Sequence, residues 1–364
     1  MLSSKSDLKE ILAAAIVPGI GHPLRDVGKV RRAETEGDTT TVEIELGFPA
    51  ATCIDELTSF FKDVATEALD GGNVEVSVAS QITAHGVQKS LKPMENVSNI
   101  IAIASGKGGV GKSTTAVNLA IALSQDGARV GILDADIYGP SQPLMLGVAD
   151  QRPTTNDGQT MNPLIGHGVQ VMSIGFMTDA DQPMVWRGPM VTSALNQLLT
   201  QTRWDNLDYL IVDMPPGTGD IQLTLSQQVP VSGAVIVTTP QDIALLDARK
   251  GLAMFRKVSI PVLGIIENMS THICSECGYE ESIFGSGGGE KMAEDFSVEL
   301  LGQLPLDITI REQTDGGLPT VAAEPDSAHA KSYRQIARRM AARLALRSKD
   351  YSKRFPKIVV ENTG

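Results

Sequence analysis

Residues 106–113 read Gly-Lys-Gly-Gly-Val-Gly-Lys-Ser, a spacing that can bind the phosphates of a nucleotide. Glycines let backbone N–H groups turn toward a phosphate, and the positive N-terminus of a following helix attracts its charge. Lys112 would reach the β- and γ-phosphates of ATP, and the Ser113 hydroxyl would bind Mg²⁺. The residues expected to contact ATP in this loop are Gly106, Lys107, Gly108, Gly109, Val110, Gly111, Lys112, Ser113 and Thr114.

Aspartates follow two of the predicted strands. Asp213 ends the aliphatic run 209–212, which is the Walker B arrangement, in which a carboxylate supports Mg²⁺. Asp134 and Asp136 follow the run 130–133 in the same way. Because ligands of open α/β sheets bind at the carboxyl ends of the strands, these aspartates are expected beside the phosphate loop. The plainer interpretation of each is a loop cap or a turn residue.

Cys274 and Cys277 form a C-x-x-C pair, whose spacing lets two thiolates converge on one metal. One pair supplies two ligands, whereas a tetrahedral sulfur site needs four, and a symmetric dimer would supply the other two. Two alternatives remain open. The pair could be inert thiols in a turn, or it could bind zinc with His272 as a third ligand.

The pattern of elements predicts an α/β fold: a P-loop NTPase with a mostly parallel sheet flanked by helices, preceded by a small α/β domain. Residues 1–83 follow the order helix, strand, strand, helix, strand; 84–98 form a polar linker; 99–349 form the ATPase domain; 350–364 form a tail. The expected strands of the large sheet contain 100–104, 130–133, 169–174, 209–212, 234–237 and 262–266, and helices are expected at 113–125, 191–201 and 243–257.

A third cysteine, Cys53, opens the second predicted helix of the small domain. A helix N-terminus lowers the pKa of a thiol, so Cys53 is a candidate for a reactive transfer ligand. A structural cysteine is an equal alternative at this position.

The composition narrows the compartment and the partners. The net charge of −12 does not favour nucleic acid, whose binding relies on Lys and Arg. Three cysteines in 364 residues do not make a disulfide scaffold, which indicates a reducing compartment. No apolar run approaches the ~20 residues that a membrane-spanning helix needs. We therefore expect a cytoplasmic protein with no nucleic-acid or membrane partner.

Lys107 makes the phosphate loop unusual, because it adds a second lysine directly after the first glycine. The loop resembles the deviant Walker A class, which contains the Min and Par ATPases, nitrogenase iron protein and the Mrp family. In that class the extra lysine reaches the ATP of a partner subunit. The resemblance implies a homodimer that encloses ATP, with Lys107 acting across the interface.

Longer segments resemble the Mrp (ApbC) family of ATP-dependent iron–sulfur cluster carriers over nearly the whole chain. They are DADIYGPS at 134–141, WRGPM at 186–190, DMPPGTGD at 213–220 and ENMSTHICSEC at 267–277. This resemblance implies that Asp136 helps to activate the attacking water and that Asn268 recognises adenine, with Pro305 at the border of the base. It also implies that Cys274 and Cys277 bind a 4Fe-4S cluster shared between two subunits. The catalytic residues would be Lys107, Lys112, Asp136 and Asp213. Residues 1–83 resemble the small domain that often precedes the ATPase in bacterial members and is shared with other iron–sulfur assembly factors.

The function expected from these features is ATP hydrolysis that gates the transfer of a cluster to apo iron–sulfur proteins. The expected partners are those apo-proteins and cluster assembly factors. The alternative is a Min- or Par-type positioning ATPase that acts on a membrane or DNA and needs no metal. The acidic charge and the C-x-x-C pair argue against that alternative. A metabolic P-loop enzyme ranks last, because nothing in the sequence marks an acceptor pocket.

Overall fold

The chain builds two main β-sheets, which are separate in sequence. In the computed structural model, the described residues are 5–177, 188–274 and 276–347. The predicted tail, 350–364, and residues 186–187 of the WRGPM segment lie outside these ranges.

The N-terminal unit has the predicted order of elements, with an extra short helix, α2, and a 3₁₀ turn before α3. Its sheet has the order β1-β2-β3, in which β1 and β2 are antiparallel and β2 and β3 are parallel. Its elements are α1 (Lys5–Ala14), α2 (Leu24–Val27), β1 (Gly28–Glu36), β2 (Thr39–Leu46), α3 (Ile54–Ala68) and β3 (Asn73–Ser80).

The second unit alternates strands and helices along most of its length. Its elements are β4 (Val97–Ala104), α4 (Lys112–Gln125), β5 (Val130–Asp134), α5 (Gln142–Met145), β6 (Leu164–Gly166), β7 (Val169–Ser173), α6 (Gly188–Gln201), β8 (Leu207–Asp213), α7 (Asp220–Gln228), β9 (Gly233–Thr238), α8 (Asp242–Lys257), β10 (Val262–Glu267), β11 (His272–Ile273), β12 (Glu280–Glu281), α9 (Gly288–Phe296), β13 (Leu300–Gln303), α10 (Ile308–Asp315), α11 (Thr320–Ala323) and α12 (Ala328–Ala345).

The large sheet brings the carboxyl ends of three strands together. Its order is β13-β10-β9-β4-β8-β5-β7-β6, and every neighbouring pair is parallel except β6 with β7. Strand β8 therefore lies between β4, which leads into the phosphate loop, and β5. Its last residue, Asp213, pairs in register with Asp134 on one side and with Ile103 on the other. The α/β class with a mostly parallel sheet is confirmed.

All six predicted aliphatic runs form strands, because both faces of the sheet are covered and continuous Val, Ile and Leu runs suit such burial. The strands that the sequence did not indicate are short. They are β6 and β13 at the two edges and the two-residue strands β11 and β12, which pair with each other as a hairpin.

The two units meet around a buried ion pair. Asp126, which follows α4 and is 2% exposed, accepts hydrogen bonds from the backbone N–H and hydroxyl of Thr52. Arg338 of α12 donates to the same carboxylate from Nε at 2.7 Å and from Nη2 at 3.1 Å. The C-terminal end of the helix after the phosphate loop is thus tied to the N-terminal unit. The division into separate domains stays a prediction.

The predicted linker makes specific contacts with the second unit. The His85 backbone N–H donates to Asn99 Oδ1 at 3.1 Å, and Gln88 Nε2 donates to the carbonyls of Ser226 and Val229 at 2.8 and 3.1 Å. Strand β4 also begins at Val97, two residues before the predicted boundary.

The C-terminal helix α12 packs on the second unit through an apolar face. Tyr333, Ile336, Met340 and Leu344 are all buried. Within the described ranges, no helix is both long enough and apolar enough to cross a membrane.

We predict that Arg338→Met lowers the free energy of unfolding by about 3–5 kcal/mol, because it leaves the Asp126 carboxylate buried without its partner. The measurement is urea denaturation at neutral pH. The matched control is Arg311→Met, which removes highly exposed pairs with Glu312 and Asp315 and should cost only about 0–1 kcal/mol. Equal losses in the two variants would show that the ion pair does not stabilise the contact between the units.

Candidate functional site

The phosphate loop joins β4 to α4, in the strand–loop–helix setting that the motif requires. Gly109 and Gly111 both have φ +79°, a conformation that other residues rarely adopt. A Cβ on Gly106 would lie 2.2 Å from the carbonyl carbon of Asp247, so only glycine lets the loop approach α8 this closely. The glycines are therefore needed for the backbone path of the loop.

The loop borders a cavity of about 210 Å³. Its lining brings together residues from the loop, from the segment after β5 and from the segment after β8. They are Ser105, Lys107, Gly108, Gly109, Gly111, Lys112, Ser113, Thr114, Asp136, Ser141, Met145 and Pro216.

Lys112 and Asp213 form a buried ion pair beside this cavity. Their side chains are 6% and 0% exposed, and Lys112 Nζ also contacts Ser113 Oγ at 3.1 Å. A buried carboxylate needs a charged or hydrogen-bonding partner, and Lys112 provides both. A phosphate that enters the cavity competes with Asp213 for this ammonium group, because both are anions.

Asp134 and Asp136 have different surroundings. Asp134 is fully buried and accepts hydrogen bonds from the backbone N–H of Ser141 and from Ser173 Oγ. Burial, together with the charge of Asp213, raises the pKa of Asp134 to about 7. Asp136 lies at the cavity itself, where burial raises its pKa and the charge of Lys112 opposes that shift. The geometry thus makes Asp136 accessible to a ligand and gives Asp134 a structural position.

Asn268 follows β10 and is buried beside the phosphate loop. Its Nδ2 donates to the carbonyl of Val110 at 2.9 Å. The 304–307 segment runs alongside, since the N–H of Ser270 donates to the Leu304 carbonyl at 3.0 Å and that of Leu306 to the Thr271 carbonyl at 2.7 Å. Asn268 and Pro305 therefore belong to neighbouring segments. Their contact with adenine stays a prediction.

The cysteine pair lies in the turn of the β11–β12 hairpin. The backbone N–H of Cys274 donates to the Tyr279 carbonyl at 2.9 Å, and that of Gly278 donates to the Cys274 carbonyl at 2.8 Å. Hydrogen bonds from the backbone N–H groups of Cys277 and Glu276 lower the pKa of the Cys274 thiol. Cys274 is half-buried and Cys277 is exposed, so this turn presents two thiols at the surface.

Comparison with known proteins identifies the family. The ParA family model, described as NUBPL iron-transfer P-loop NTPase, matches residues 96–341. The chain is 52% identical over 340 residues to an iron-sulfur cluster carrier protein of Haemophilus influenzae, covering 93% of this chain and 92% of that one. This chain belongs to the iron-transfer P-loop NTPase family.

Other relatives agree with this assignment. The iron-sulfur cluster carrier protein of Escherichia coli K12 is 51% identical, covering 90% of this chain and 89% of the relative. The iron-sulfur cluster transfer protein NUBPL of mouse is 51% identical, covering 73% and 83%. Among solved structures, a nucleotide-binding protein of Archaeoglobus fulgidus in complex with ADP matches with a TM-score of 0.57 and 33% identity. It covers 66% of this chain and 93% of that one.

The family assignment favours the carrier hypothesis over the positioning ATPase, and as a P-loop NTPase the chain is an ATP hydrolase. The zinc alternative stays a prediction for this NTPase. Among the described residues, no three His, Cys, Asp or Glu side chains gather as a metal site. His272 makes a 3.0 Å contact from Nδ1 to the Leu306 carbonyl, so its Nδ1 is a donor and a metal would bind at Nε2.

The prediction of a low pKa for Cys53 was wrong. Cys53 ends a 3₁₀ turn, Ala51–Cys53, that precedes α3, and its Sγ donates to the Ala50 carbonyl at 3.5 Å. Burial raises the pKa of this thiol to about 11. In the iron-transfer NTPase, Cys53 has the surroundings of a structural cysteine.

Sequence reasoning missed Glu267, which organises the segment between the phosphate loop and the cysteines. This fully buried carboxylate accepts hydrogen bonds from Ser270 Oγ at 2.9 Å, Gln303 Nε2 at 3.0 Å and the N–H of Gly289 at 2.6 Å. The Glu267 carboxylate therefore caps the N-terminus of α9, which begins in the glycine-rich segment 284–289. The available signal was a charged residue that closes an aliphatic strand directly before Asn268.

We predict that iodoacetamide alkylates Cys274 roughly 100-fold or more faster than Cys53 at about pH 7.5, because only the thiolate reacts. The raised pKa of Cys53 means that its rate should increase about tenfold per pH unit up to about pH 11. Mass spectrometry of the labelled peptides measures both rates. Comparable labelling of the two thiols at neutral pH would contradict the assigned surroundings.

Proposed function

We propose that this chain is an ATP-dependent iron–sulfur cluster carrier that binds a 4Fe-4S cluster between two copies and transfers it to apo-proteins. The observation that carries the proposal is the surface turn in which backbone N–H groups favour the thiolate of Cys274 beside an exposed Cys277. Thiolates are the ligands of such clusters, and the relatives at about half identity are named cluster carriers. The thiols need a reducing compartment, which supports a cytoplasmic location.

A second copy of the chain is part of the proposal because one chain supplies only two of the four thiolates. A two-fold axis beside the turn would bring the second pair to the same cluster. The surface around the cysteines suits such a contact: Ile273, Tyr279 and Ile283 are 48%, 65% and 51% exposed. Apolar side chains concentrated near a metal-binding turn favour burial against a partner.

The nucleotide site suits ATP with Mg²⁺. The space above Gly108 and Gly109 is open, so a phosphate can approach their backbone N–H groups. Ser113 and Asp213 would hold the metal, which neutralises charge on the phosphates when it is bound. Lys112 would bind the phosphates, Asp136 would orient the attacking water, and Asn268 and Pro305 would border the adenine.

Lys107 connects the proposed nucleotide site with the proposed dimer that shares the cluster. Its Nζ contacts Gln241 Oε1 at 3.3 Å, at the start of α8. The neighbouring Ile243 and Leu246 are 70% and 56% exposed, as expected of a surface that a second copy covers. In the dimer, Lys107 would exchange Gln241 for the ATP phosphates of the partner subunit. ATP binding would thereby draw together the two chains that share the cluster.

We predict that anaerobic reconstitution with iron and sulfide yields about four irons per dimer, because four thiolates complete the site. The double variant Cys274→Ala/Cys277→Ala should lose the iron and the broad visible absorption. The matched control is Cys53→Ala, which removes the remaining cysteine of the chain and should keep both signals. Unchanged iron content in the double variant would refute the carrier assignment.

We predict that Lys107→Ala keeps most ATP binding but lowers the hydrolysis rate by about 100-fold, in the range expected for the loss of one transition-state charge contact. Lys112→Ala should lose both binding and hydrolysis, because its ammonium group acts within its own site. Calorimetry measures binding and phosphate release measures hydrolysis. Normal turnover in the Lys107 variant would refute its action across the dimer.

A further inference from the structure

Gln142 is fully buried at the first residue of α5, close to the predicted metal ligands. Its position is fixed through the backbone, since its own N–H and that of Ser141 donate to Asp134 Oδ2 at 3.1 and 3.0 Å. Ser173 Oγ donates to the same oxygen at 3.1 Å. The Asp134 carboxylate thus holds the start of α5 against the end of β5.

The side-chain amide of Gln142 contacts two acceptors. Its Nε2 donates to Asp213 Oδ2 at 2.9 Å and to the Ser113 carbonyl at 3.1 Å. Because a carboxylate and a carbonyl can only accept, the amide nitrogen must face both of them. The orientation of the amide therefore follows from its partners, and both of its N–H groups are used.

The other end of the amide is a buried acceptor without a partner among the described residues. Gln142 Oε1 has no hydrogen bond, and the same holds for Ser141 Oγ, whose residue lines the phosphate cavity. Buried polar atoms are nearly always satisfied. Two unsatisfied oxygens in consecutive residues, of which Ser141 lines the cavity and Gln142 contacts the cavity residue Ser113, point to a polar ligand that satisfies them there.

We propose that Gln142 is a positioning residue of the magnesium site: its Nε2 orients Asp213, and its Oε1 accepts a hydrogen bond from a metal-bound water. Mg²⁺ retains several waters when it binds to proteins, and these waters donate hydrogen bonds to nearby acceptors. When the Lys112 ammonium group binds a phosphate instead of Asp213, Gln142 remains as the hydrogen-bond donor that keeps the Asp213 carboxylate in place. The inference rests on the ATP-binding half of the proposed function and is independent of the cluster.

The test is metal affinity in the presence of ADP, measured with Mn²⁺ in place of Mg²⁺ by electron paramagnetic resonance. Gln142→Met keeps the side-chain length but removes the donor and the acceptor. It should weaken Mn²⁺ binding by about tenfold or more, as expected when a group that orients a metal ligand is lost. Its ADP affinity in excess EDTA should equal that of the parent, which a general disturbance of the loop would not allow.

The matched control is Gln125→Met at the far end of α4. It loses hydrogen bonds to the Val321 carbonyl and to Arg334 but should bind Mn²⁺ like the parent. Gln142→Met with parental Mn²⁺ affinity would overturn the inference alone. A parent that binds ADP but no Mn²⁺ would overturn the proposed magnesium site as well. If circular dichroism shows that the Met variant is unfolded, Gln142→Asn replaces it, and unchanged affinity there overturns the inference equally.

Discussion

The arrangement of residues at the carboxyl ends of β4, β8 and β5, beside the phosphate loop, depends on the buried carboxylate of Asp213. A charge without solvent contact needs compensation, and Lys112 and Gln142 supply it from two sides. The parallel register places Asp134 directly opposite, so two carboxylates lie near one ammonium group. Burial and this like charge disfavour ionisation of Asp134, while the N–H and O–H groups around it favour its charged form. The segment after β5 is held closely to the sheet by this arrangement.

The same edge leads directly to the cysteines. Asn268 bonds to the phosphate loop through the Val110 carbonyl, and Cys274 follows only six residues later in the chain. That stretch is not loose, because it pairs with the 304–306 segment and is anchored by the buried Glu267. A displacement of Asn268 by a nucleotide base would therefore act on a short, hydrogen-bonded segment. This proximity gives a physical route by which ATP could gate the cluster.

Local features of the sequence predicted the phosphate loop, its helix and the six long strands, because glycine spacing and aliphatic runs are properties of neighbouring residues. Contacts between residues that are far apart in the sequence were not predictable. Gln142 meets Asp213 across 71 positions, and nothing near either residue indicates that contact. For Cys53, a local argument gave a wrong result, because its position at a helix N-terminus predicted a low pKa for the thiol. Burial of the thiol determines the actual direction of the shift.

The contact between the units gives the phosphate-loop helix a second role. Helix α4 starts at Lys112 and runs without interruption for 14 residues, about 20 Å, to the buried Asp126. Asp126 binds Thr52, the neighbour of Cys53, and Arg338 closes the contact from α12. A helix moves as a rigid unit more easily than it bends. A shift of the N-terminus of α4 toward a phosphate would therefore also displace its C-terminal end, which contacts Thr52. The N-terminal unit is therefore attached at the far end of the helix that begins at the phosphate loop.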